Sequence, residues 1–177
     1  MNLYRFKTFR TSYYFPPLTQ ERKFLYGLYT PFGGGLAKKY WNAFCGCGLV
    51  RMLTRVSNPD NEFPYSQIMS LMPKDSVVSF NLGTPGLEQK ISMLGLESNG
   101  NHFFAKYSTK EGAMSLSRNE LRILSTLKGT NLAPDLYDFK DGGDYVFFRT
   151  SCVDGHSPND ISINDDIVKL AVSINKI

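Results

Sequence analysis

The sequence predicts an α+β fold: an antiparallel five-stranded sheet with one packed helix, preceded by a partly helical, basic and aromatic extension and followed by a short helix. Three observations carry this reading. Residues 76–107 hold three alternating segments separated by Gly- and Asn-bearing turns, the pattern of an antiparallel meander. Residues 113–128 repeat their apolar side chains at helical spacing and stop at Gly129, a helix-ending glycine. Two more extended stretches flank the turn Asp141-Gly142-Gly143-Asp144.

Composition sets the frame. The 177 residues are 42% apolar and 20% charged, a globular rather than a disordered balance, with enough chain to bury a core. Three cysteines (Cys45, Cys47, Cys152) and two histidines (His102, His156) are too few for a disulfide scaffold or a full zinc ligand set, so no metal site is expected. No apolar run is long enough to cross a bilayer, and Met1 to Pro17 lacks the apolar core of a secretory signal. The expected compartment is the cytoplasm. Charge is uneven: residues 1–59 carry nine Lys/Arg against Glu21 alone, whereas residues 60–177 carry eleven basic and fifteen acidic side chains.

The elements follow in order. Residues 1–75 form the extension. Its first half is expected to be irregular, with Pro16-Pro17, Pro31 and Gly33-Gly34-Gly35, and Leu36 to Arg55 reads as a helix. Basic side chains interleaved with aromatics such as Tyr4, Phe6, Tyr13 and Tyr14 suit single-stranded nucleic acid or an anionic membrane. Packing of those rings against the following domain is the simpler account. A core unit is expected over 76–155. Val77 to Leu82, Lys90 to Leu96 and His102 to Tyr107 are its first three strands, the helix spans 113–128, and Leu136 to Phe139 and Tyr145 to Arg149 are the last two strands. Residues 156–177 begin a helical second unit, with Ile163, Ile167, Leu170 and Ile174 on one stripe.

The order strand, glycine turn, strand, turn, lysine strand, glutamate helix and two strands resembles the N-terminal lobe of the protein-kinase-like fold. The nearest likeness is to its aminoglycoside and choline phosphotransferase branch. The matching segments are Leu82-Gly83-Thr84-Pro85-Gly86 for the glycine loop, Phe104-Ala105-Lys106 for the lysine strand and Ser117-Arg118-Asn119-Glu120-Leu121 for the helix glutamate. Ala133-Pro134-Asp135-Leu136 matches the approach to the fourth strand, and Val153-Asp154-Gly155 the linker between lobes. The likeness covers residues 76–177. It implies ATP as the bound nucleotide, with Gly83, Thr84, Gly86, Lys106 and Glu120 at the phosphates. Ala105, Ser151 and Val153 would meet the purine, and Leu82, Met93 and Phe147 would line the same slot.

Each of these residues also has a physical reading of its own. Gly83 and Gly86 let backbone approach an anion closely, or simply make a hairpin turn around Pro85. Lys106, in an apolar strand, needs a partner if it points inward. Glu120 is the one charge on the stripe Leu116, Glu120, Leu124, Leu127, which is read as inward. An ion pair between them satisfies both. Ser117-x-x-Glu120 is equally a capping box, and the helix start decides: an onset near Ala113 makes Glu120 interior and favours the pair.

Kinase-type transfer also needs a catalytic Asp, an Asn and a metal-holding Asp. Only 22 residues follow Gly155, so no catalytic residue is assigned, and Mg2+ is expected only if a catalytic lobe is supplied. The sequence therefore points to the ATP-binding lobe of a small-molecule phosphotransferase-like protein, truncated and not competent alone. Its partners would be a nucleotide and a protein or missing lobe. The alternative is a non-catalytic interaction module that uses the basic aromatic arm on a protein, a membrane surface or, as the weakest option, nucleic acid.

Overall fold

The computed structural model describes residues 3–8, 10–17, 19–28, 54–130 and 132–152. In chain order these form β1 (Leu3–Lys7), β2 (Ser12–Phe15), a 3-10 helix (Gln20–Leu28), β3 (Thr54–Val56), a 3-10 turn (Pro59–Asn61) and α1 (Tyr65–Ser70). Then come β4 (Val77–Asn81), β5 (Ile91–Leu96), β6 (His102–Ser108), α2 (Glu111–Thr126), β7 (Leu136–Asp141) and β8 (Val146–Ser151). The class is α+β, as the sequence predicts. The sheet, however, has eight antiparallel strands rather than five, in the order β3-β1-β2-β4-β5-β6-β8-β7.

The five expected strands are its contiguous part from β4 to β7. The three extra strands come from the extension. Tyr13 and Tyr14 of β2 pair with Asn81 and Phe80 of β4, and β1 pairs with both β2 and β3. Two expectations for this region are thereby corrected. Its first part is not irregular, and Thr54 and Arg55, read as the end of a helix, lie in a strand. Thr54-Arg55-Val56 carries two β-branched residues, and pairing with Leu3–Arg5 outweighs the weak helical periodicity. The rest of the predicted helix, the triple glycine, Cys45 and Cys47 lie outside the described residues, as do Val153 and the stripe Ile163 to Ile174.

Side-chain alternation gives the sheet two unlike faces. One carries Tyr14, Val78, Phe80, Met93, Phe103, Ala105 and Tyr107, and is covered by Phe63, Ile68 and Met72 from the segment around α1. A fully buried Phe or Leu of this kind contributes roughly 1.5–3 kcal/mol. Gly95 lies between Val78 and Phe103, and a Cβ there would sit 2.0 Å from the Phe103 ring, so only glycine leaves the ring its place. The opposite face carries α2, whose Met114, Leu121 and Leu124 meet Val146 and Phe148. It also carries the 3-10 helix, where Tyr26 stacks on Phe15 at 4.5 Å and Phe24 on His102 at 3.7 Å. Tyr14, Phe15 and Tyr26, three rings of the basic aromatic extension, are thus core residues, as the simpler account expects.

Candidate functional site

The site is built on the face that carries α2. In β6, Phe103, Ala105 and Tyr107 face the α1 side, so Phe104 and Lys106 point the other way. Lys106 lies in register with Ser92 of β5 and Phe148 of β8. Its ammonium is 5.7 Å from the ring centroids of both Phe104 and Phe148, within the range of cation–π attraction. Its Nζ donates to Glu120 Oε1 at 2.5 Å.

The helix start settles the choice between cap and pair. α2 begins at Glu111, two turns before Glu120. Ser117 is no cap: its Oγ is buried and hydrogen-bonded to Ser108 Oγ at 2.8 Å, tying α2 to β6. Glu120 is therefore interior and free to reach Lys106. The inward stripe needs correction. The buried face is Ala113, Met114, Ser117, Leu121 and Leu124, while Leu116 is exposed. Glu120 lies at the border of that face, half-buried rather than enclosed, with the onset at Glu111 setting the phase.

Lys90 joins the pair from the loop side, 3.9 Å from Glu120 Oε2. Two ammonium groups thus share one carboxylate beside the glycine loop, and the exposed Glu88 lines the same depression as Lys90. The loop is braced by its own side chains. Asn81 Oδ1 accepts from Gly83 N at 2.9 Å, and Gln89 Nε2 donates to Leu82 O at 2.9 Å. Gly83 has φ +68°, and a Cβ on it would lie 2.5 Å from Lys90 O, so turn and strand both require glycine here. A Cβ on Gly86 would meet open space. Thr84, Pro85 and Gly86 are exposed and border an open depression of about 650 Å3 that Lys90 and Ser92 also line. Asn81 and Gln89 were not singled out from sequence. Asn-x-Gly after a strand is a legible Asx-turn signal, whereas the reach of Gln89 has no local signature.

Two predicted purine contacts do not fit this geometry. Ala105 is fully buried in the core on the opposite face from Lys106, because neighbouring residues of a strand point to opposite sides. Met93, its register partner, and Phe147 share that buried face. Ser151 is still in β8. Its N–H donates to Asp135 O and its Oγ accepts from Asp135 N, each at 2.9 Å, so its amide is already used. Ser92 and Phe148 flank Lys106 on its face, and the next row along the strands is Leu94, Phe104 and Thr150, paired across β5, β6 and β8. Leu94 and Phe104 keep partial exposure between the 3-10 helix and α2. Among the described residues, no group of three or more His, Cys, Asp or Glu could hold a metal ion, and no helix is long and apolar enough to cross a membrane. Comparison with protein-family models, curated proteins and solved structures finds no match to this chain.

Proposed function

We propose that this chain is a nucleotide-binding lobe of phosphotransferase-like type, taking ATP through the glycine loop and Lys106. The observation that carries the reading is the Lys106–Glu120 ion pair, made between a central strand and the helix that follows it. The helix position of Glu120 holds the ammonium toward the loop that ends at Lys90. Thr84 and Gly86 offer backbone to the phosphates, with Gly83 shaping the turn, and Lys106 and Lys90 offer the cations. For the purine, the reading replaces Ala105 and Ser151 with the part-exposed Leu94 and Phe104. Bound ATP would supply the phosphoryl group, and this lobe would orient it. Catalytic carboxylates and Mg2+ would belong to a second lobe.

The test is ATP binding by the full chain, followed by melting temperature and calorimetry. Lys106→Met removes one charge-assisted contact and is expected to weaken ATP about tenfold while leaving the fold intact. An ATP-induced rise in melting temperature equal to that of the natural chain would sink the reading.

A further inference from the structure

The sheet ends on β7, whose outer edge is open among the described residues. Its inner neighbour β8 fixes which backbone groups face out. Gly142 N donates to Tyr145 O at 2.9 Å where the two strands start to pair. The register then runs through Asp141↔Val146, Lys140↔Phe147, Phe139↔Phe148 and Asp138↔Arg149. Hydrogen-bonded and non-hydrogen-bonded pairs alternate along an antiparallel ladder. Lys140 and Asp138 therefore turn their backbone N–H and C=O toward β8, and Phe139 turns its own outward.

The side chains of this edge are complementary to themselves. Phe139 lies on the α2 face, in register with Phe148, and is 61% exposed because α2 is seated over β6 and β8. Asp138 and Lys140 lie on the opposite face. Asp138 is bound by Arg149 at 2.8 Å and is still 46% exposed. Lys140 is exposed and makes no ion pair among the described residues. A second β7 laid antiparallel, with Phe139 opposite its own copy, joins the two outward Phe139 backbones by a pair of hydrogen bonds and brings the rings together. Each Asp138 then stands opposite the other copy's Lys140, in the non-hydrogen-bonded pairs where side chains come closest. An axis centred on Asp138 or on Lys140 sets like charges opposite and meets no outward backbone groups. The bulge between Leu136 and Asp138 confines the match to the stretch from Asp138 onward.

We infer that two copies of this chain join edge to edge through β7, with Phe139 on the two-fold axis, independently of whether ATP binds at Lys106. Sedimentation equilibrium on the full chain, from about 1 μM to 1 mM, should fit a reversible monomer–dimer equilibrium. A two-fold contact feels every substitution twice. Lys140→Glu sets acid against Asp138, and Asp138→Lys sets base against Lys140. Each alone should weaken the dimer at least about tenfold. In an equal mixture the two variants face each other with both pairs complementary, and association should return to within about threefold of the natural chain. Melting temperatures check that both variants fold, and Arg149 keeps Glu97 when Asp138 is replaced. Amide exchange gives a second readout that needs Lys140→Glu alone. The Phe139 amide should gain protection as the natural chain dimerises and lose it in that variant. A natural chain that stays monomeric over this range overturns the proposal. So does a dimer untouched by Lys140→Glu, or a mixture of folded variants that associates no more tightly than either one. A Phe139 amide already protected in the monomer would assign this edge to another segment of the same chain, and equally overturns it.

Discussion

Arg118 and Asp141 show how one side-chain pair sets a local pH response. Arg118 on α2 donates to both carboxylate oxygens of Asp141 at the end of β7, at 2.7 and 2.9 Å. The Arg118 hydrogen bond, followed by one from Gly143 N–H, holds the Asp141 carboxyl down at about 2, below its ordinary 3.8. A depressed carboxyl stabilises the fold above its ordinary value, and that contribution is lost as pH falls through about 2. In Arg118→Gln the Asp141 midpoint, followed by carboxyl-carbon NMR, should rise toward 3.8. The share of the acid-side stability loss that comes from Asp141 should then shrink, vanishing as its midpoint reaches 3.8. An Asp141 midpoint that stays near 2 in the variant would mean that the Gly143 contact alone sets it.

At the level of elements, the contact that positions Glu120 is the buried hydroxyl pair Ser108–Ser117, where α2 crosses β6. Both residues are almost fully buried. Ser117→Ala strands the Ser108 hydroxyl and should cost about 1–3 kcal/mol, whereas replacing both serines by alanine should recover much of that loss. Urea midpoints of the two single variants and the double variant, read as a cycle, check it; strictly additive losses would show that the hydroxyls act separately. This crossing also explains what sequence made legible. The strands β4, β5 and β6 and the helix α2 were readable because period-two and helical patterns are interrupted by Gly83, Gly100 and Gly129. The Lys106–Glu120 pair was readable because two charges in apolar patterns must find partners. The phase of α2 was not, since Leu116 and Leu121 look alike until the sheet chooses a side. Ala105 faces away from Lys106 because neighbours along a strand point to opposite sides, so adjacency in the chain does not put the two on one face. Arg149 bridges Glu97 and its cross-strand neighbour Asp138 and covers the Phe103 ring at 5.2 Å, and the Glu97 and Phe103 contacts are too distant in sequence to be legible there.

Across the whole molecule, the sheet runs without a break through the point where the composition changes. Tyr13-Tyr14-Phe15 gave no strand signal because aromatic side chains occupy both faces, Tyr14 against Phe63 and Phe15 against Tyr26. Leu3, Tyr14, Val56, Phe63, Ile68 and Met72, all before residue 76, share one cluster with Phe80, Met93 and Phe103. Burying these six side chains contributes on the order of 10 kcal/mol as an upper figure, comparable with the entire stability of a domain, about 5–15 kcal/mol. Removing them would also leave β4 as a bare edge and take Thr11 and Ser12 away from Asn81 and Leu82. A chain comprising residues 76–177 should therefore contain the entire lysine–glutamate site and still fail to hold it. Its urea titration should show no cooperative transition, and it should bind a hydrophobic dye that the full chain excludes. A cooperative transition at the full chain's midpoint would show instead that the five strands from β4 to β8 form a self-sufficient unit.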